Sequence, residues 1–162
     1  MQENVAWHRQ LGVYGICVKD SKLLVIHKNG GPYNSRYDLP GGSIEPNEPL
    51  PAALHREILE ETGVSVRIIG HIGTRDFVVP WTRERYSHTH SHHIAIFYEV
   101  EYISGDVRFS PNVDDSSGAE WLDADRFAWD NSSPLVMQAV EWLAQRTIPV
   151  DTRYFTAWET KL

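Results

Sequence analysis

Three glutamates are the residues in this chain best placed to do chemistry together. Glu57, Glu60 and Glu61 lie in the run REILEETGV, residues 56–64. The run reads as a helix that stops at Gly63, a residue suited to the left-handed conformation just past a helix end. At 100° per residue, Glu60 and Glu61 fall within about 60° of Glu57, so the three carboxylates share one face. Leu50, Leu54 and Ile58 occupy the neighbouring arc, and the acidic face therefore borders the apolar stripe. Like charges at such spacings repel, and partial burial raises the cost. A divalent cation resolves the conflict, because carboxylate oxygens are the ligands that Mg²⁺ and Mn²⁺ prefer. The plainer reading is a solvated acidic helix face. Against it stand a glycine-rich loop before the helix, an arginine beside the acids and a helix stop, all at defined spacings.

The elements that must position these acids begin upstream. Glu48, Pro49 and Pro51 lie where the helix starts, and proline is tolerated in a first turn because those N–H groups have no intrahelical partner. Tyr37-Asp38-Leu39-Pro40-Gly41-Gly42 leads into it. From Gly42 to Val64 the chain reads Gly, five residues, Glu48, seven residues, then Arg-Glu-apolar-any-Glu-Glu-any-Gly-apolar. This stretch resembles the Nudix box, and Gly42, Glu48, Arg56, Glu57, Ile58, Glu60, Glu61, Gly63 and Val64 all match it. The resemblance implies an α/β fold, a Nudix-type α/β/α sandwich with a mixed central sheet and the box as loop–helix–loop. It also implies Mg²⁺- or Mn²⁺-assisted hydrolysis of a nucleoside diphosphate linked to another group. Glu57, Glu60 and Glu61 then look like metal ligands, joined by the backbone at Gly41. Arg56 would orient the acids by charge-assisted hydrogen bonds, Glu48 being one partner. Without a Cβ, Gly41 and Gly42 allow close approach of metal and pyrophosphate.

Bulk properties fit a small enzyme. The chain has 162 residues, 41% hydrophobic and 23% charged, close to ordinary globular composition. We expect one domain over residues 1–149 and an aromatic tail over 150–162, packed on that domain or at an interface. A net charge of −7 argues against gripping long nucleic acid through its phosphates. The lone Cys17 excludes an intramolecular disulfide and suits a reducing, cytoplasmic setting. The first ten residues lack an apolar core for a secretory signal, and no run is long enough to span a membrane. The expected partner is a small nucleotide, with neither nucleic-acid polymer nor membrane, and a homodimer is allowed.

Along the chain, Leu11 to Lys19 and Lys22 to Lys28 read as a hairpin around Asp20-Ser21. Residues 29–36 form a loop dense in turn residues. Val64 to Val79 reads as strand interrupted at Gly70 and Gly73. Residues 81–87 form a loop, residues 90–103 a long strand and residues 119–123 a short one. A last helix starts at Ser133-Pro134 and ends near Arg146. Strands, helix, strands, helix gives layers with one helix on each face of a mixed sheet.

Three further groups are candidates. His88, His90, His92 and His93 alternate, so in a strand His88, His90 and His92 face one side and His93 the other. The first three are a candidate substrate-facing row, a second metal site or a polar strand edge. Asp114, Asp115 and Glu120 form the second group. Many Nudix enzymes carry an extra acid in a late loop or strand, and Asp115 and Glu120 occupy a similar region. The third group is Lys28, Arg36, Tyr37, Arg75 and Arg83, with Arg36 and Tyr37 suited to phosphate and base. Pro80 follows Val64 by sixteen residues, where Nudix hydrolases of ADP-ribose often have a proline.

The resemblance implies attack of water on a pyrophosphate phosphorus, with the positive charge supplied by metal. Glu57, Glu60 or a late-loop acid takes the water's proton. Candidate substrates are a nucleoside triphosphate, ADP-ribose or another nucleotide sugar, a dinucleoside polyphosphate or a capped nucleotide. The length favours a compact MutT-like form. One alternative is a non-catalytic Nudix-fold module that binds a nucleotide as regulator, which would not need all three acids. The other is a prenyl diphosphate isomerase, whose catalytic cysteine has no counterpart in the setting of Cys17.

Overall fold

The computed structural model describes residues 5–83, 85–107 and 116–162. Among the described residues, eight strands form a mixed, curled sheet. They are β1 (Trp7–Lys19), β2 (Lys22–Lys28), β3 (Tyr37–Asp38), β4 (Gly41–Ser43), β5 (Ser65–Pro80), β6 (His90–Ser104), β7 (Ser116–Leu122) and β8 (Arg153–Tyr154). The main path runs β3-β2-β1-β6-β5-β8, with β4 also pairing β1 and β7 pairing β2. Helix α1 (Leu50–Thr62) precedes β5, and α2 (Pro134–Gln145) follows β7.

The hairpin forms as its turn residues require. Asp20 and Ser21 both adopt positive φ, 52° and 65°, the conformation of a tight primed turn. β1 extends four residues further toward the N-terminus than its apolar pattern suggests. Trp7 to Gln10 are held there by parallel pairing with His90 to His93, a partnership eighty residues away that local sequence does not encode. The expected interruptions at Gly70 and Gly73 are bulges inside one strand, seen as register shifts between Ile68 and Gly70 and between His71 and Gly73.

Strand alternation sends apolar side chains to both faces, and each face meets one helix. Val13, Cys17, Leu24 and Ile26 pack with Ala53, Leu54 and Ile58 of α1. Tyr14, Ile16, Phe77 and Phe97 pack with Leu135, Val136 and Ala139 of α2. The expected layering is observed. Gly15 lets α1 sit close to β1, because a Cβ there would meet Ile58 Cδ1 at 2.7 Å. α2 is capped by Ser133, whose Oγ accepts from the Val136 N–H at 3.2 Å. Ser133 Oγ also donates to Asp38 Oδ1 at 2.7 Å, tying α2 to β3. Cys17 is buried, and burial pushes its thiol up to about 11, consistent with a packing residue rather than a nucleophile.

Candidate active site

α1 begins without a side-chain cap, on Pro49, and ends on Gly63 at φ 78°. Its Glu57 and Glu61 point at the short strand β4, which lies antiparallel against β1 with Val13 opposite Gly42. Glycine is required at Gly41, and at Gly42 it leaves room for the Glu57 carboxylate. Gly41 has φ 147°, and a Cβ there would lie 2.1 Å from the Val13 carbonyl. A Cβ on Gly42 would meet Glu57 Oε2 at 2.8 Å.

The three glutamates share a face but not an environment. Glu61 is buried, and its Oε1 accepts from the Gly41 N–H at 2.8 Å. Burial pushes its carboxyl well above the usual range, Glu57 and Asp38 push the same way, and the Gly41 hydrogen bond and Lys28 oppose them. Glu57 is also buried, whereas Glu60 is exposed. Arg56 braces the group. It donates to both oxygens of Glu48, Nε to Oε2 at 2.7 Å and Nη2 to Oε1 at 2.8 Å. Its Nη1 donates to Glu57 Oε1 at 3.0 Å and to Glu60 Oε2 at 3.3 Å. Nη2 also reaches the Ser43 carbonyl at 3.2 Å. A fork that grips one carboxylate with two bonds fixes orientation as well as charge. The Arg56 bond holds the Glu48 carboxyl down at about 2.

Two cavities adjoin here. One, about 540 Å³, is lined by Gln10, Lys28, Gly42, Ser43, Arg56 and the three glutamates, among others. The second, about 410 Å³, shares Gln10, Lys28 and Ser43 and continues past Asn29 to Tyr33, Asp38, His8, Trp81, Arg83 and His93. Together they form one cleft with an acidic end and an aromatic, basic end.

The donor set suits a hard divalent cation. It consists of oxygens only, in a dense cluster of acids, with Glu61 desolvated among like charges and no Cβ between Gly42 and Glu57. Among the described residues, no three such side chains are already gathered tightly enough to hold an ion. Arg56 instead takes one oxygen each of Glu57 and Glu60.

Other candidates fall elsewhere. Glu120 bonds His27 at 2.9 Å, on the side of β7 opposite Ala119, which packs in the α1 core; it does not line the acidic cavity. Asp114 and Asp115 lie outside the described residues. Arg36 is buried against the carbonyls of Trp129, Ser132 and Glu159, and Tyr37 packs on Phe127 and His27; neither lines the cleft. Arg75 is spent on Gln138 and Asp151. His90 lies against Trp7, and His92 bonds Asp76 at 2.7 Å. His88 precedes β6 and sits among His8, Trp81 and Tyr86. None of these three lines the cleft either. Of the run, His93 does line it, through the opposite parity of β6. It is buried between Tyr14 OH (2.7 Å from Nε2) and Tyr33 OH (3.0 Å from Nδ1). Gln10, Asp38 and His8 also line the cleft without having stood out as site residues. Only long-range pairing brings the two β1 residues there.

A family model for the NUDIX domain matches residues 7–145. The chain belongs to the Nudix family. As a Nudix hydrolase it is 29% identical over 138 residues to an ADP-ribose pyrophosphatase of Methanocaldococcus jannaschii, covering 83% of this chain and 75% of that one. It is 34% identical over 81 residues to the NAD-capped RNA hydrolase NudC of Deinococcus radiodurans. That match covers 50% of this chain and 24% of NudC, so the region shared is about a quarter of the longer protein. The fold is that of the MutT protein from Methanosarcina mazei, with a TM-score of 0.66 at 19% identity, covering 88% of this chain and 98% of that one. No helix among the described residues is long and apolar enough to cross a membrane.

Proposed function

We propose that this Nudix hydrolase cleaves the pyrophosphate of a nucleoside diphosphate joined to a second group, with ADP-ribose or a similar nucleotide sugar as the first substrate to test. The observation that carries this is the pair of adjoining cavities, which share Gln10, Lys28 and Ser43. Its acidic end suits a metal-bridged diphosphate, and its aromatic end offers room for a nucleoside. Similarity to an ADP-ribose pyrophosphatase supports the choice of substrate. Glu57, Glu60 and Glu61, with the Gly41 backbone, would hold Mg²⁺ or Mn²⁺. When bound, such an ion supplies positive charge to the phosphoryl oxygens and lowers the pKa of a bound water.

The chain's own groups do the rest. Arg56 holds Glu57 and Glu60 in place, and Glu48 holds Arg56. Glu60 is the exposed carboxylate and is best placed to exchange a proton with solvent during attack by water. Lys28, at the junction of the two cavities, meets the anionic diphosphate as a point charge. His93 stays neutral, its pKa lowered to about 3 by burial first and by Lys28, His8 and His92 after it. With both nitrogens bonded to Tyr14 and Tyr33, it ties the two tyrosines together behind the cleft without adding charge.

The test is hydrolysis of a panel of nucleoside triphosphates, nucleotide sugars, dinucleoside polyphosphates and ADP-ribose with Mg²⁺, Mn²⁺ or EDTA, alongside thermal melts. We expect metal-dependent cleavage and a higher Tm with metal, since a ligand bound only by the native state stabilises it by about 2.7 kcal/mol at a hundred times Kd. Cleavage of no panel member, with nucleotide binding retained, would replace this reading with a regulatory binding module.

A further inference from the structure

The residues after α2 lie beyond the matched family region, which ends at residue 145. They nevertheless reach the loop that walls the aromatic end of the cleft. That loop begins Asn29-Gly30-Gly31-Pro32-Tyr33, and all five residues line the second cavity. Gly30 and Gly31 hold φ of 148° and 69°, and nothing lies within 4 Å of where a Gly31 Cβ would be. Gly31 to Tyr33 form one short 3-10 turn, and two adjacent glycines have many conformations to lose, so contacts from outside the loop add to what holds it.

The base of the loop is fixed by the sheet. The Lys28 N–H donates to the Arg36 carbonyl, and the Ser35 N–H donates to the Lys28 carbonyl, each at 2.9 Å. Its tip is fixed by the tail. Trp158 Nε1 donates to the Pro32 carbonyl at 2.8 Å, and the Trp158 ring meets Tyr33 edge-on at 5.9 Å. Arg36 stacks on Trp158, 4.3 Å from guanidinium carbon to ring centre, and donates to the Glu159 carbonyl at 2.8 Å. Asn34 Nδ2 donates to the Lys161 carbonyl at 2.8 Å. The tail is itself moored to the sheet, with β8 parallel to β5 and the Phe155 N–H donating to the Val78 carbonyl at 2.9 Å. From Trp158 the contacts run through Tyr33 to His93 and on to Tyr14, beside Gly41.

We propose that the tail is a strap that sets nucleotide affinity by holding residues 29–33 against the second cavity, with Trp158 and Asn34 as positioning residues. The proposal rests on the cleft being the nucleotide site. The strap touches neither the glutamates nor Arg56, so loosening it weakens binding and spares the chemical step.

The test uses Trp158→Ala and the milder Asn34→Ala, which removes one hydrogen bond and little packing. Three quantities are read: KM and kcat on ADP-ribose with Mg²⁺, Kd for AMP by calorimetry, and amide exchange across residues 29–36. We expect KM and Kd to rise about five- to tenfold in Trp158→Ala and less in Asn34→Ala, with kcat within about threefold and faster exchange confined to the loop. An unchanged Kd in both variants despite faster loop exchange overturns the strap, as does absence of AMP binding by the wild-type chain. A wild-type chain that cleaves nothing but binds AMP more tightly than Trp158→Ala removes the hydrolase reading and leaves the strap standing.

Discussion

Two arginines show how differently the same side chain is used at the two ends of this molecule. Arg56 is surrounded by carboxylates: Glu48, Glu57, Glu60 and, at 3.9 Å, Glu45. Arg36 is surrounded by main-chain carbonyls and one indole. The first arrangement holds ionised groups that would otherwise repel, and holds them where a ligand can reach. The second uses a buried guanidinium to satisfy three main-chain carbonyls. From sequence both were candidates for the site. The partners differ accordingly: Arg56 gathers the carboxylates of the box, and Arg36 ties the Glu159 carbonyl and the Trp158 ring of the tail to the carbonyls of Trp129 and Ser132.

The most damaging break at the reacting end is removal of an acid. Glu60→Gln and Glu61→Gln keep volume and lose charge. Each should lower kcat/KM by about 100-fold or more, in line with the loss of a group that acts on the reacting atoms. Without metal, Glu61→Gln should melt no lower than wild type, because it removes a desolvated charge standing among like charges. Steady-state kinetics and metal-free melts measure both. Near wild-type turnover in both variants would take the acids out of the reaction.

Exchanging the arginines for lysine sharpens the contrast. Arg56→Lys loses the two-bond grip on Glu48 and should cost about 10- to 100-fold in activity, the usual effect of a group that orients ligands. Arg36→Lys leaves buried carbonyls unpaired and should cost about 1–3 kcal/mol in stability, with kcat held and KM raised through the strap. Urea titrations beside kinetics separate the two. Equal losses of kcat in both variants would erase the distinction.

How much of this was readable beforehand follows from the range of the forces involved. The hairpin turn, the Gly63 stop, the Ser133 cap and the spacing of Glu48, Arg56 and the three acids are local, and local residue types specify them. What could not be read was which side of a strand faces the cleft. The alternation of His90, His92 and His93 was legible, but β6 acquires its sidedness from pairing with β1 on one edge and β5 on the other. The cleft lies on the side of His93. The same parity turns Glu120 toward His27 and away from the box. Gln10 and His8 reach the cleft only because β1 continues along β6, and Trp158 finds Pro32 across 126 residues of sequence.

The side of β6 that faces the cleft also carries a group that resists a proton. His93 is buried neutral, with Tyr14 and Tyr33 at its nitrogens and Lys28, His8 and His92 disfavouring its charge. Its folded pKa of about 3 lies below the usual value near 6.5. Between those values the unfolded chain binds a proton that the native chain refuses. Stability is therefore full above pH 6.5 and falls as pH drops toward 3, by at most about 1.4 kcal/mol per unit from this group. In His93→Gln, whose amide can still bond both tyrosines, that part of the slope should vanish in unfolding curves taken from pH 7 to 4. Identical slopes in the two proteins would mean that His93 does not resist protonation.

His92, on the other side of the strand, should do much less. Its bond to Asp76 is partly exposed, with about a third of the imidazole in solvent, and such pairs contribute at most about 1 kcal/mol. Because it lines neither cavity, His92→Ala should leave KM and kcat within about twofold, a bound set by the lack of contact with the cleft. A severalfold rise in KM without loss of stability would place substrate on that side of β6, and the contrast between the two faces would have to be redrawn.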